Sequence, residues 1–260
     1  MEISIIGMRA LVTGANSGIG ASIATGLAAA GARVCVNYVV QPEAAEEVAA
    51  GIRRAGGEAM ALQADVSDAA QVSRMFAAID QAWGGLDALV NNAGIDGPRA
   101  LTWEAGQEAW ARVLHVNLVG GFLCAREALK RMVAQRRGVV LNLTSVHEKI
   151  AWGGYGAYAA SKAGLSMLTK TMAQEAAPFG VRVLALAPGA IRTPINRAVW
   201  SDPASLADLL TKIPLGRMGE PDEIARVATF LVSDAASYLT GSTVYADGAM
   251  TDYPDFAHGG

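Results

Sequence analysis

Cysteine and histidine are scarce in this chain, at two and three among 260 residues. Cys35 lies in an apolar strand-like run and Cys124 in an apolar helical one, so neither a disulfide framework nor a cysteine metal site is expected. His115, His147 and His258 are scattered and form no recognisable ligand set. Charge is sparse too, at 17% of residues. The formal net charge is −3, the isoelectric point is near 5.7, and no basic tract occurs. That balance argues against nucleic acid or an anionic membrane as the main partner. No uninterrupted apolar run approaches a membrane span, and Met1-Glu2-Ile3 opens without a basic leader and apolar signal core. The cytoplasm is the expected location. Repeats and low-complexity segments are absent as well.

What the chain does have is a hydrophobic content of 52% and a regular alternation of segment types. Strand-like runs occur at Ala10–Thr13, Arg33–Asn37, Ala59–Ala64, Ala88–Asn91, Val139–Leu143, Val181–Ala187 and Thr243–Ala246. Helical patterns fall between them, near 18–30, 43–55, 69–83, 107–136, 157–177 and 222–233. Several strands are continuously apolar, as expected where both faces of a sheet are covered. The pattern predicts one α/β domain over residues 1–260, built on a doubly wound, seven-stranded parallel sheet of the Rossmann type. Residues 190–221 break the alternation, with Pro194, Pro203, Pro214 and Pro221 around a short helical piece. They directly follow Pro188-Gly189, which suggests a lid over a substrate.

Ala10–Thr13 runs into Gly14-Ala15-Asn16-Ser17-Gly18-Ile19-Gly20, followed by an apolar helix that stops at Gly31. Strand, glycine turn and helix is the context of a dinucleotide fingerprint. Gly14 permits the turn, Gly18 lets the backbone approach a pyrophosphate, and Gly20 permits close helix–strand packing. The helix N-terminus then offers N–H groups and its positive dipole end to the phosphates.

Further along, Tyr158-Ala159-Ala160-Ser161-Lys162 puts a phenol and an ammonium one turn apart on one helix face. By itself such a pair is an ordinary surface feature. A free phenol ionises near pH ~10, and lowering it by roughly three units takes about 4 kcal/mol. A lysine ~4 Å away in a partly screened site supplies about that much. Ser145, thirteen positions earlier, is placed to hydrogen-bond the same substrate oxygen. Tyr155 has Ala159 four residues on and so lacks a lysine partner.

Taken together and in order, these motifs resemble the short-chain dehydrogenase/reductase family along essentially the whole chain. The matching segments are Thr13 to Gly20, Asn91-Asn92-Ala93-Gly94, Asn117, Ser145, Tyr158, Lys162, and Pro188-Gly189 followed by Ile191-Arg192-Thr193. The resemblance implies NAD(P)-dependent hydride transfer at an alcohol or carbonyl carbon, without a metal. Tyr158 would carry the hydroxyl proton and Ser145 would position the oxygen. Lys162 would lower the phenol pKa and hold the nicotinamide ribose. Asn117, through a local helix distortion, would hold a water relaying protons from Lys162 to solvent. Cofactor contacts are expected at Gly14, Asn16, Ser17, Gly18, Ile19, Gly20, Tyr38, Asp65, Val66, Asn92, Ala93, Gly94, Tyr158, Lys162, Pro188, Gly189, Ile191 and Thr193. For Asp65, contact near the adenine and helix capping stand as equal readings, and Asp68 can also cap. The family is usually tetrameric, so a homotetramer is expected.

Cofactor choice is read from the end of the second strand, where an acid favours NAD and an arginine accommodates a 2′-phosphate. Those positions hold Tyr38 and Val39, and the glycine turn carries neutral Ser17. With no cation in place, NAD is expected to be preferred, NADP being the second option.

A narrower resemblance points to the substrate. Ser145–Trp152, Gly189–Asn196 and Ala246–Pro254 are similar to segments of bacterial glucose 1-dehydrogenases, a branch of the family. It implies oxidation of β-D-glucose to the lactone, with Asp96, Ser145, His147, Tyr158 and Asn196 facing the substrate and Trp152 as an apolar wall. There are departures at Asp96, at Val39 and at Gly153-Gly154-Tyr155, the last replacing bulkier residues. The alternatives are a carbonyl reductase acting on 3-oxoacyl thioesters, steroids or small ketones, and a nucleotide-binding regulator without chemistry.

Overall fold

The computed structural model describes residues 3–252, which leaves Tyr253, Pro254 and His258 outside the described chain. Its centre is one parallel sheet of β1 (Arg9–Val12), β2 (Arg33–Tyr38), β3 (Glu58–Gln63), β4 (Ala88–Asn91), β5 (Gly138–Leu143), β6 (Val181–Pro188) and β7 (Thr243–Ala246). The order across the sheet is β3-β2-β1-β4-β5-β6-β7. This is the doubly wound topology expected from the alternation of segments.

Side-chain alternation along the strands divides the core in two. Ala10, Val12, Val34, Val36, Ala88, Val90 and Leu141 face one side. There they meet α1 (Gly18–Ala29), α2 (Pro42–Arg54) and α9 (Pro221–Val232), through residues such as Leu27, Ile52 and Leu231. Leu11, Cys35, Leu89, Val140 and Val183 face the other side. They pack on α3 (Ala69–Trp83), α5 (Gly120–Gln135) and α6 (Gly156–Ala176), through Phe76, Leu123 and Met172. Each large apolar side chain buried this way contributes about 1.5–3 kcal/mol. The central strands have no wet face, which explains their unbroken apolar sequence. Cys35 and Cys124 are both buried and free, and burial pushes their thiols up, Cys124 to about 12.

Residues 107–136 read as one long helix in sequence. In the structure, α4 (Gln107–Leu114) passes into α5 through a π-helical turn, His115–Val119, where the Gly120 amide bonds the His115 carbonyl. The remaining pieces, α7 (Arg197–Trp200) and α8 (Pro203–Leu210), lie in the proline-rich segment. Ile213 and Met218 from that segment bury against Val146 and Met250, with Trp200, Leu206 and Leu210 packed alongside. The segment therefore sits on the loop that carries Ser145.

β1 and β4 lie at the point where the strand order reverses, so their following loops diverge and open a crevice at the carboxyl edge of the sheet.

Candidate active site

At the base of the crevice hydrogen bonds tie the two loops together. Thr13 Oγ1 accepts from the Asn92 and Ala93 amides, both at 3.0 Å. Asn92 Nδ2 returns 2.9 Å bonds to the Thr13 and Gly14 carbonyls. Gly14 has φ +60°, and a Cβ there would stand 2.9 Å from the Ala93 Cα. A Cβ on Gly20 would stand 2.4 Å from the Gly14 carbonyl oxygen, so the helix can start this close to the turn only with glycine. Ser17 caps α1 without a side-chain bond, and the first turn of α1 has no acidic residue. That helix start is free to receive phosphate. The absent side chains and available donors fit a dinucleotide. Ile19 packs on the first core, and Thr193 packs over Gly18 from the opposite wall.

The adenosine end is built by residues with other partners as well. Asn16 Nδ2 donates to the Val40 carbonyl at 3.2 Å, tying the glycine turn to the edge of β2. Tyr38 is half-buried at the end of β2, while Val39 and Val40 are exposed. Asp68, not Asp65, caps α3, accepting from the Ala70 and Gln71 amides. Asp65 accepts from Ser67 and, at 3.0 Å, from Arg112 on α4. Burial pushes the Asp65 carboxyl up, but Ser67 and Arg112 outweigh it and hold it below its usual value. Val66 is buried against Gly120, on which a Cβ would stand 2.7 Å from Val66 Cγ2. On the opposite wall the Gly189 amide, following Pro188, bonds the Ala246 carbonyl at 3.1 Å, and Ile191 is buried beside Gly219.

Deeper in the crevice the expected reactive residues come together. Ser145 follows β5 and accepts from the His147 amide at 3.2 Å. Tyr158 and Lys162 stand one turn apart on α6, with Lys162 Nζ 5.7 Å from the phenol ring centroid. The same Nζ donates to the Leu143 carbonyl at 2.8 Å. Gly94 lies between Lys162 and Asn117, for a Cβ there would be 3.5 Å from Lys162 Nζ and 3.3 Å from Asn117 Oδ1. The helix distortion expected at Asn117 is the π-helical turn. It turns Asn117 inward, where Nδ2 donates to Ser161 Oγ at 3.0 Å, and Ser161 Oγ donates to the Tyr158 carbonyl at 2.7 Å.

Burial dominates the electrostatics of the reactive residues. Burial pushes the Tyr158 phenol up to about 12, and Ser145 offsets only part of that. The approach of Lys162 predicts the reverse. The reason is desolvation, which acts on both groups: burial also pushes Lys162 down to about 8, although Asp96 and Glu148 favour its charged form.

Toward the substrate side, His147 stacks on Trp152 with ring centroids 4.5 Å apart, and Trp152 stacks on Tyr155 at 3.9 Å. Trp152 meets Tyr158 edge-on at 5.7 Å. Asp96 is close enough for Lys162 and His147 to draw its pKa down, against a larger upward push from burial. Burial depresses His147, whose Nδ1 lies 3.2 Å from the Ile150 carbonyl. Asn196 has partners in its own turn. Its Oδ1 accepts from the Thr193 amide and hydroxyl at 3.0 and 3.1 Å, and its Nδ2 donates to the Ile191 carbonyl at 2.8 Å. That amide closes the turn at the start of the lid segment.

Sequence reasoning missed several supports. Asn37 Oδ1 accepts from the Gly14 amide at 3.2 Å and its Nδ2 donates to the Ala64 carbonyl at 3.1 Å, fixing the glycine turn. Asn91 Nδ2 donates to Asn142 at 2.9 Å, and Asn142 to Thr169 at 2.8 Å, a buried chain linking β4, β5 and α6. Glu148 accepts 2.9 Å bonds from Ser166 and Tyr245, while its Oε2 is buried without a partner. A lone polar residue inside an apolar strand, as at Asn37 and Asn142, is the signal that marked the first two.

Comparison with known proteins agrees with this geometry. Residues 14–251 match the family described as enoyl-(acyl carrier protein) reductase. The 3β-hydroxysteroid dehydrogenase 1 of Eggerthella lenta is 45% identical over 254 residues, covering 97% of each chain. Glucose 1-dehydrogenase 2 of Bacillus subtilis is 40% identical over 255 residues, covering 98% of each. The crystal structure of a gluconate 5-dehydrogenase from Burkholderia cenocepacia, in complex with NADP and tartrate, superposes with a TM-score of 0.91 at 36% identity. That match covers 96% of this chain and 98% of the other.

Proposed function

The chain belongs to the short-chain dehydrogenase/reductase family, NAD(P)-dependent oxidoreductases acting on CH–OH groups, and from that premise we propose that it interconverts a cyclic secondary alcohol of the hydroxysteroid class and its ketone. The observation that carries this reading is the His147–Trp152–Tyr155 stack, whose Trp152 edge lies 5.7 Å from the Tyr158 ring. A flat apolar ring system gains from such a wall. Free glucose needs a polar partner for each hydroxyl, and Asn196 is committed to its own turn.

When bound, the nicotinamide supplies or accepts the hydride. In reduction, Tyr158 donates its proton to the carbonyl oxygen and Ser145 orients that oxygen. Burial raises the phenol and so favours the protonated form that this direction uses. In oxidation, the alcohol proton passes to the phenolate, which the Lys162 ammonium stabilises. Asn117 supports the water that returns the proton to solvent. Thr193, Gly94 and the start of α1 hold the cofactor.

Glucose is the second reading, favoured by Asp96 and His147 standing beside the reactive cluster. Acyl-carrier substrates fare worse, because Arg192 is paired with Glu220 at 3.5 Å and stacked on Trp200. The test is turnover of a 3β-hydroxysteroid, β-D-glucose and a 3-oxoacyl thioester with each cofactor. We expect kcat/KM for the steroid to exceed that for glucose at least tenfold, and the reverse order overturns the proposal.

A further inference from the structure

Tyr158, Lys162 and Ser166 follow one another at intervals of four residues on α6, so they stand on successive turns of one helix face. Each meets the segment that runs from the end of β5 into the turn carrying Ser145. Ser145 is close enough to Tyr158 to draw its phenol down, and Lys162 Nζ donates to the Leu143 carbonyl at 2.8 Å. One turn further along, Ser166 Oγ donates to Glu148 Oε1 at 2.9 Å.

Glu148 is tied to the reactive serine on its own side as well. Val146–Glu148 is a single 3₁₀ turn capped by Ser145. In it the Glu148 amide bonds the Ser145 carbonyl at 2.9 Å, and the His147 amide bonds Ser145 Oγ at 3.2 Å. So short a turn is held by weaker hydrogen-bond geometry than an α-helix. Its β5 end is fixed in the sheet. At its other end Glu148 Oε1 accepts from Ser166 on α6 and, at 2.9 Å, from the Tyr245 hydroxyl on β7.

The charge of Glu148 has a second use. Its Oε2 is buried without a partner, and among the described residues no cation bonds either oxygen. Two hydroxyl donors need only an acceptor, which a neutral amide also provides, so the buried charge is retained for something else. Lys162 is 5% exposed and bonds the Leu143 carbonyl, which leaves a buried ammonium in need of anions. The charged groups that favour it are Asp96, from the loop after β4, and Glu148, from the turn after β5, with the Tyr158 phenol beside it on α6.

We propose that Glu148 is a positioning residue of the reaction: through Ser166 and Tyr245 it fixes the Ser145 turn against α6, and through its charge it keeps Lys162 an ammonium. The inference rests on the reading that Ser145 orients the substrate oxygen and Lys162 holds the nicotinamide ribose.

Two variants separate the roles. Glu148→Gln keeps an oxygen for Ser166 and Tyr245 but loses the charge, whereas Glu148→Ala loses both. NADH affinity is titrated by nucleotide fluorescence across a pH series, and kcat is measured with a 3β-hydroxysteroid. In the unaltered protein affinity should fall as pH passes about 8. In the Gln variant that fall should come about half a pH unit earlier. The Ala variant should show the same shift, with kcat about tenfold or more below that of the Gln variant, because the serine is no longer held in place. Ser166→Ala cuts the tie to α6 and leaves the charge; it should lower kcat without moving the pH dependence, and it serves if Glu148→Ala does not fold. A Gln variant whose pH dependence superimposes on the parent's overturns the proposal, as does parental kcat in the Ala or Ser166→Ala variant. If affinity in the unaltered protein does not fall with pH, Lys162 does not hold the ribose as an ammonium and the premise fails with the inference. If no steroid is turned over, the cyclic-alcohol reading fails, and kcat with β-D-glucose together with the binding series still decides the role of Glu148.

Discussion

Asn117 and Ile95 form a two-way amide pair: the Ile95 amide donates to Asn117 Oδ1 at 2.8 Å, and Asn117 Nδ2 donates to the Ile95 carbonyl at 2.9 Å. The pair copies a backbone ladder with a side chain, and it holds the loop after Asn91-Asn92-Ala93-Gly94 against the π-helical turn. Asn117→Ala leaves both Ile95 groups and Ser161 short of partners in a buried place. Stability should fall by about 1–3 kcal/mol, and kcat should fall because the loop carries Gly94 and Asp96. Urea unfolding and steady-state kinetics on the same preparation test this. An unfolding midpoint unchanged from the parent would sink it.

Lys162 is fully buried, and its pKa is pushed down to about 8 from an ordinary 10.5. Between those values the unfolded chain binds a proton that the folded chain does not, so unfolding free energy should rise with pH from about 8 toward 10. The charged lysine then destabilises the neutral-pH fold by about 3 kcal/mol. Above pH 10 the raised Tyr158 and Tyr245 phenols act in the opposite sense, lowering stability as pH increases. Lys162→Met should abolish the rise. Cofactor affinity should weaken as pH passes about 8, because the ammonium proposed to hold the ribose loses its proton. Denaturant titrations and cofactor binding at a series of pH values read both.

Tyr158→Phe keeps the ring edge against Trp152 but removes the proton carrier. We expect turnover to drop by 10²–10⁴-fold or more, with cofactor affinity within a few-fold of the parent. Since the ring packing is retained, thermal stability should change little. Residual activity near the parent level would assign the proton to another group.

NAD should be used at least as well as NADP. Val39 is exposed at the end of β2, and nothing at Ser17, Tyr38 or Val39 can neutralise a 2′-phosphate. Val39→Arg should move the preference toward NADP through a charge-assisted contact. Ratios of kcat/KM for the two cofactors, before and after the substitution, decide the matter. An unaltered protein that prefers NADP by orders of magnitude would end this reading.

Asn196→Ala removes the three bonds that close the turn at Thr193. Loss of such a cap costs about 1 kcal/mol. The effect should appear as increased proteolysis within 190–221 and a higher KM for every substrate alike. A selective loss with glucose alone would restore Asn196 as a sugar ligand.

Much of this was legible in the sequence. Apolar runs on both faces of a strand, glycines at a turn and a phenol four residues from a lysine are local patterns, and they follow from the periods of strand and helix. They were enough to give seven strands, their parallel topology, the crevice and the residues that meet in it. Asn37, Asn142 and Glu148 escaped because their partners lie 27, 27 and 97 positions away, at Ala64, Thr169 and Tyr245. The bonds of Asn196 to Thr193 and Ile191 were not legible either, because a sequence does not show which polar atoms already have partners.

The tertiary structure alone decided three things. It set the direction in which burial shifts the Tyr158 phenol, since desolvation depends on how much of the fold closes over the ring. It assembled His147, Trp152 and Tyr155 into one stack, through the turn between Ser145 and α6. And it brought Glu148 to Ser166 on α6 and Tyr245 on β7. Local sequence determines which way a chain folds at each step, whereas burial and side-chain partners are set by segments that meet only after it has folded.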